Sequence, residues 1–236
     1  MIRTAIRAGA LFAVGLVAVT MSAAQMTEDQ AKQAAQEVKL LVTEGSAVVG
    51  DLQSQINSGK VDKAQVAPEA MVAAFKVRYQ KAAGAAFDTN ARGVIGDSRR
   101  AFLAAYTSVV TRYQGNLTKG GQDAFVPAFF RAQVLKEFNQ LMAGKVQAYA
   151  TNRDEELINS DWAVHKVMKN SALSGVVPGL MKTGSLQPVV QRQGSAMMGY
   201  YPMKLAPACV SCHAQNGLKQ TEGGFGGALV VEIPVK

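Results

Sequence analysis

The hydrophobic period of the sequence changes at Gly144, and this change limits the fold more than any other feature. Before Gly144, apolar residues recur at the three- and four-residue spacings of amphipathic helices. After it, short stretches alternate in the manner of strands, as in "KVQAYAT" at 145–151 and "SAMMGYYPMKL" at 195–205. Helices followed by short strands predict an α+β fold, in which N-terminal helices pack on a small antiparallel sheet.

Four helices are predicted before Gly144, each from an apolar stripe that follows a start signal. Thr27 and Gln30 have the spacing of a capping box at the start of the first helix. Pro68 precedes the second helix, and Ser98 is expected to cap the third. The predicted helices cover about 27–56, 68–79, 98–113 and 123–143, with a loop at 115–121 and Gly144 ending the fourth helix.

The second half of the chain predicts a hairpin and a final strand. Residues 186–193 and 195–205 would pair through a turn at Gly194 and Ser195. The glycine-rich "GGFGG" at 223–227 is expected to be a loop that leads into a last strand, "ALVVEIPV" at 228–235. Between the first strand and the hairpin, residues 154–173 are predicted to form one or two short helices.

The first 24 residues have the three parts of a secretory signal peptide. Arg3 and Arg7 give it a basic start, residues 8–21 form an apolar run, and the small residues Ser22 and Ala24 precede the expected cleavage point. The apolar run is shorter than the roughly 20 residues that a membrane-spanning helix requires. We therefore predict cleavage after Ala24 and a mature protein in the periplasm.

The net charge indicates the kind of partner that the protein would meet. It is +8, and becomes +6 when Arg3 and Arg7 leave with the signal peptide. An excess of positive charge favours an acidic protein partner, or contact with an anionic membrane surface. The basic residues are scattered and do not alternate with aromatic residues in a cluster. Nucleic-acid binding is therefore not expected.

The sequence "CVSCH" at 209–213 contains both cysteines of the chain and one of its two histidines. C-x-x-C-H is the attachment sequence of c-type haem. Its thiols, Cys209 and Cys212, would add to the vinyl groups of one covalently attached haem c, and His213 would bind the iron as the proximal axial ligand. The predicted export agrees with this cofactor, because c-type haem is attached after export.

Three other uses of the cysteines fit the sequence less well. A thioredoxin-like dithiol lies early in its fold, whereas only 24 residues follow Cys212. A structural zinc site needs four ligands, and His165 is the only other histidine. A disulfide between Cys209 and Cys212 would close a short and strained loop, and would leave His213 without a role.

The order of these features resembles that of the PAS-like c-type haem domain family, which includes periplasmic mono-haem cytochromes and haem sensor domains of receptors. The resemblance covers residues 125–235 and depends on "NRDEELINSDW" at 152–162, "YYPMKLAPACVSCHA" at 200–214 and "GGALVVEIP" at 226–234. It implies a PAS-like sheet, a haem held by Cys209 and Cys212, and His213 as its proximal ligand.

With this resemblance, the chain divides into a signal peptide at 1–24, a helical N-terminal region at 25–122 and a PAS-like c-type haem domain at 123–236. Two features depart from the family. The acidic segment at 152–161 has no proline, and the chain has no third cysteine of the kind that some relatives use as the distal iron ligand.

The iron ligand opposite His213 therefore has three alternatives. It is His165, or a methionine, or the position is open or bound to water. The methionine candidates are Met203, Met197, Met198 and Met168, with Met203 nearest to the motif.

These alternatives correspond to two functions. A six-coordinate iron suits an exported mono-haem cytochrome that transfers electrons to a redox partner protein, whereas an open iron suits a redox or diatomic-gas sensor that acts through a separate partner. The sequence shows no further membrane or signalling segment, which favours the electron carrier. It shows neither a Ser/His/Asp set nor a phosphate-binding loop, so we do not expect an enzyme.

Overall fold

A computed structural model of the chain describes residues 26–120, 125–151, 176–207, 209–210, 214, 219 and 221–236. Its helices are α1 (Glu28–Asn57), α2 (Pro68–Ala83), α3 (Gly93–Leu117), α4 (Pro127–Leu141) and α5 (Val176–Thr183). Its strands are β1 (Gln147–Thr151), β2 (Val189–Gln193), β3 (Ala196–Lys204) and β4 (Phe225–Pro234). Within these ranges, no helix has both the length and the apolar character needed to cross a membrane.

The first two helices confirm their predicted starts. The backbone N–H of Gln30 donates to Oγ1 of Thr27 at 3.3 Å, and the backbone N–H of Thr27 donates to Oε1 of Gln30 at 3.0 Å. This is the capping box expected at the start of α1. Pro68 is the first residue of α2, where the missing N–H of proline costs no hydrogen bond.

The prediction that Ser98 caps the third helix is wrong, because α3 begins five residues earlier at Gly93. Ser98 is fully buried inside α3. Two glycines, and no capping side chain, allow α3 to start here. Gly93 has a φ of +71°, and a Cβ on Gly96 would lie only 1.7 Å from the carbonyl oxygen of Ala91. The far end also differs, since α3 runs through Gly115 to Leu117 and the first part of the predicted 115–121 loop is helical.

The fourth helix begins later than predicted. Residues 121–124 lie outside the described residues, Phe125 and Val126 are not helical, and α4 starts at Pro127. Proline favours this position because its fixed φ is already helical. The helix ends at Leu141 with Met142 as its C-cap, and Gly144, with a φ of +75°, lies in the turn that follows.

The four strands form one antiparallel sheet in the order β1-β4-β3-β2. The β2–β3 hairpin turns at Gly194 and Ser195 as predicted, with Gly194 at a φ of +60°. β4 begins at Phe225, so the last part of the expected glycine loop belongs to the strand. The predicted α+β class is thus confirmed for the described residues.

The helix α5 is not predicted by the sequence patterns. The expected short helices at 154–173 lie outside the described residues. Tyr200 of β3 fixes the chain after α5, because its hydroxyl donates to the carbonyl oxygen of Ser185 at 3.3 Å.

One face of the sheet packs against helices α1 and α4, and α2 and α3 pack in turn against these two helices. Three alanines of α1, Ala31, Ala34 and Ala35, are fully buried, and small side chains of this kind allow close approach of a helix to its neighbours. The resulting core contains residues from both the predicted 25–122 region and the predicted 123–236 domain. Its members from the sheet are Ala148, Ala150, Met197, Tyr201, Leu229, Val231 and Ile233.

A polar network joins the first three helices. The Nε of Arg99 donates to Oε1 of Glu37 at 2.8 Å, and the hydroxyl of Tyr79 donates to the same oxygen at 2.8 Å. Arg99 Nη2 also donates to the hydroxyl of Tyr79 at 2.7 Å. Burial raises the pKa of Tyr79 to about 12, with a further contribution from its hydrogen bond to Glu37, so the phenol keeps its proton and its role as a donor.

Phe75 of α2 is the centre of an aromatic cluster, and we predict that Phe75→Ala lowers the free energy of unfolding by about 3–5 kcal/mol. Its ring is fully buried and lies 5.2 to 6.2 Å from the ring centroids of Phe87, Phe102, Tyr106 and Tyr79. Denaturant unfolding of the full chain, followed by circular dichroism, measures the loss.

The matched control is Val77→Ala on the same helix, because Val77 is 68% exposed. This change is expected to alter the free energy of unfolding by less than about 0.5 kcal/mol. Equal losses in the two variants would contradict the assignment of Phe75 to the core.

Candidate functional site

The C-x-x-C-H motif lies in the connection between β3 and β4, at 205–224. The two ends of this connection are joined by backbone hydrogen bonds: Leu205 N–H donates to the Gly224 carbonyl at 2.9 Å, and Gly223 N–H donates to the Leu205 carbonyl at 3.0 Å. We call Leu205, Gly223 and Gly224 the neck of the motif loop. A loop that leaves and re-enters a sheet at one place holds its flanks in fixed positions.

The structure describes one of the three predicted haem-binding residues. Cys209 is half-buried and helical, as is Val210, and helical conformation is also found at Pro207 and Ala214. The backbone N–H of Cys209 donates to the carbonyl of Ala206 at 2.9 Å. Cys212 and His213 lie outside the described residues, so the attachment of haem by these three residues stays a prediction.

A β-bulge lies directly beside the neck. Pro202 pairs with Ala228 and Lys204 pairs with Phe225, so one residue of β3, Met203, lies opposite two glycines of β4. Of these glycines, Gly227 has a φ of +109°. A Cβ on the other, Gly226, would lie 3.1 Å from the backbone N and Cα of Leu205. The bulge therefore has glycine where a Cβ would be tight against backbone, at Gly226, and where φ is in a region that L-residues rarely adopt, at Gly227.

The candidates for the distal iron ligand occupy different environments. Met203 is half-buried at the bulge, Met197 is buried against the helices, and Met198 is buried on the opposite side of the sheet. His165 and Met168 lie outside the described residues. In the described part of the chain, no three His, Cys, Asp or Glu side chains form a metal-binding group.

Arg131 of α4 is the charged group that the structure brings to the motif. Its Nε is inaccessible to solvent, although the residue as a whole keeps some exposed surface, and Nε has no hydrogen-bond partner among the described residues. Burial lowers the pKa of Arg131 to about 10, and the negative charge of a Cys209 thiolate opposes this shift. The two side chains are therefore near neighbours.

The surroundings of Arg131 are mainly apolar. It lines a narrow gap with Gly45 and Ser46 of α1 and the buried Phe102, Phe130, Val134 and Leu135. Sequence reasoning missed this residue. The sequence does contain a pattern that would have identified Arg131. The apolar Val134, Leu135 and Phe138 follow it at three, four and seven positions, which puts the arginine on the buried stripe of its helix.

The side of the sheet away from the helices carries a second apolar cluster, formed by Met198, Tyr200, Phe225, Ala228 and Val230. Leu180 of α5 packs against this second sheet face. Burial raises the pKa of Tyr149 and that of Glu232, which lie on the same face farther from the neck. Phe225 links the second sheet face to the motif loop, because it pairs with Lys204 next to the neck.

A wider groove of about 540 Å³ lies elsewhere, between α3 and α4. Arg112 and Glu137, which line it, already form an ion pair at 2.7 Å. The remaining lining residues are neither cysteine nor histidine. The groove therefore lacks the thiol and imidazole groups that the C-x-x-C-H motif would use to bind haem.

Comparison with known proteins gives no independent identification. No family model, no curated protein and no solved structure matches the chain.

The contact of Gly226 with Leu205 predicts that Gly226→Ala lowers the free energy of unfolding by about 1–3 kcal/mol, because neither backbone can move away without opening the neck. Limited proteolysis should show faster cleavage within 205–224 in this variant. Gly50→Ala is the control: Gly50 is exposed inside α1 with no atom within 4 Å of the added Cβ, so this change should stabilise the protein by about 0.5–1 kcal/mol. Effects of the same sign in both variants would contradict the role given to Gly226.

Proposed function

We propose that this protein is an exported mono-haem c-type cytochrome that transfers electrons in the periplasm. In this proposal Cys209 and Cys212 hold one haem c covalently, and His213 is the proximal iron ligand. The observation that carries it is the C-x-x-C-H motif, which occupies a loop whose two ends are joined where the central strands β3 and β4 meet it.

The described surroundings of Cys209 fit such a group. A haem has an apolar ring and two anionic propionates. Near the motif the chain offers the buried Leu205 and Phe225 at the neck and a buried cation, Arg131, with an unsatisfied Nε. Cys209 is half-buried, so its thiol is still partly accessible to a cofactor.

The haem supplies one-electron redox chemistry when bound, and the chain's part is to hold it and set its surroundings. The thiols of Cys209 and Cys212 would fix the ring, while the imidazole of His213 would donate a nitrogen lone pair to the iron. The neck would hold the segment that carries all three residues. This function requires no catalytic acid or base.

The finer organisation follows from the same proposal. Residues 1–24 would be a signal peptide, residues 25–122 a helical region, and residues 123–236 a PAS-like haem domain. The shared core of helices and sheet supports a rigid junction between the last two. The net charge of +6 without Arg3 and Arg7 favours an acidic redox partner protein, since opposite charge accelerates encounter.

Haem attachment gives the first test of the function. The chain expressed with its own N-terminus, in a bacterium that matures c-type cytochromes, is expected to gain the mass of one haem and to give the pyridine haemochrome spectrum of two thioether links. Cys209→Ala with Cys212→Ala should remove the covalent haem. Val210→Ala, inside the motif but outside its chemistry, is the control that should retain it. An exported protein with its thiols intact and no haem would contradict the proposal.

The sixth ligand gives the second test. With a strong distal ligand, as electron transfer favours, the reduced spectrum should change little when carbon monoxide is added. His165→Ala and Met203→Leu are to be compared, with Met197→Leu as a control because Met197 is buried against the helices. Only the variant that lacks the ligand should lose the low-spin spectrum. A rapid, stoichiometric carbon monoxide complex of the unaltered protein would instead favour the gas-sensor alternative.

A further inference from the structure

Arg131 is a cation in an environment that does not satisfy it. Its Nε is buried, and this N–H donates to no hydrogen-bond acceptor among the described residues. The groups that line the gap beside it are Val42, Gly45 and Ser46 of α1 and the side chains of Phe102, Phe130, Val134 and Leu135. Leaving a buried guanidinium donor without an acceptor is destabilising, so an acceptor is expected to reach it.

The fold brings Arg131 to the end of the sheet where the motif loop starts. Asn139 of α4 bonds both the N–H and the carbonyl of Ala148, at 2.8 and 2.9 Å, so the end of α4 is fixed to the start of β1. The other end of β1, at Thr151, pairs with Ala228 of β4, which is near Phe225 and the neck. Arg131, near the start of α4, thus lies toward the neck, in agreement with its electrostatic contact with Cys209.

Attachment of a haem would change the charge next to Arg131. Cys209 adds to a vinyl group as a thiol, and its proton passes to the other vinyl carbon, so the thioether is neutral and can no longer ionise to a thiolate. The same reaction brings two propionate carboxylates into the protein. The planar guanidinium presents paired N–H donors that match the two oxygens of a carboxylate.

We propose that Arg131 binds a propionate carboxylate of the haem and so acts as a positioning residue for it. This inference rests on the proposed function, since it requires the haem that Cys209 and Cys212 would hold. It goes beyond that function by assigning a contact to a residue 78 positions before the motif. The pairing satisfies the buried Nε side of the guanidinium and holds the propionate in its anionic form.

The test uses the haem-loaded full chain with Arg131→Gln, Arg131→Lys and Arg112→Gln. Arg112 is the control because it is an arginine of the neighbouring α3 that already pairs with Glu137 and is 53% exposed. The pyridine haemochrome of each protein is measured first. If the unaltered protein carries no haem, the proposed function is wrong. The inference about Arg131 is then wrong as well, because it requires a bound haem.

In haem-loaded protein, Arg131→Gln is expected to lower the midpoint potential, because removal of a cation next to a propionate favours the oxidised, more positive iron centre. It should also shift the propionate bending band in the resonance Raman spectrum. Arg131→Lys keeps the charge but not the paired donors, so it should leave the potential near that of the unaltered protein while still shifting the band. Arg112→Gln should change neither.

Two results would overturn the inference. An unchanged propionate band in both Arg131 variants would mean that another carboxylate, from this chain, satisfies the guanidinium. A change of the same size in Arg112→Gln would mean that the potential responds to overall charge. If Arg131→Gln does not fold, the band in Arg131→Lys alone decides between contact and no contact.

Discussion

The fold depends on β4, the last strand of the sequence, which lies between β1 and β3. Without it, among the described strands, β1 would have no partner and β3 would keep β2 alone. β4 also serves both sides of the sheet: Leu229 and Val231 face the helices, and Ala228 and Val230 face away from them. A strand that is buried on both sides has a continuous apolar sequence, and "ALVV" at 228–231 is such a run. The end of the chain is further tied to the start of α1, since Lys236 N–H donates to the carbonyl of Met26 at 3.3 Å.

This arrangement explains why the motif can lie so close to the end of the sequence. The residues after it are a central element of the sheet, so the motif loop is an insertion between two neighbouring strands. The entropy cost of closing a loop grows only slowly with its length, so about 20 residues between paired strands are tolerated. The hydrogen bonds of Leu205 with Gly223 and Gly224 then fix both flanks. A group bound by such a loop would be attached to the most strongly paired part of the sheet.

The sequence predicts those features that depend on local periodicity or on a local signal. Alternation located β1 and the β2–β3 hairpin, and the capping box located the start of α1. The start of α3 could not be found in this way, because it depends on the approach of Gly96 to the Ala91 carbonyl, and Ser98 resembles a cap while being buried inside the helix. The position of β4 in the sheet and the electrostatic interaction of Arg131 with Cys209 are long-range, so no window of sequence contains them. The motif could be recognised because its residues are adjacent in the sequence, whereas the residues that surround it in the fold come from distant segments and could not be predicted.

The environment of Arg131 connects cofactor attachment to folding. In the chain before attachment, a thiolate at Cys209 can offset part of the cost of burying the guanidinium. A thioether cannot, because it carries no charge. If a haem provided no anion in exchange, attachment would leave a buried, uncompensated cation in the core between α1 and α4, which is among the more destabilising changes that a protein can undergo. If a propionate replaces the thiolate, the charge balance is kept and the packing of α4 is preserved. Within the proposed function, Arg131 therefore favours a cofactor that brings a carboxylate to the space beside Cys209.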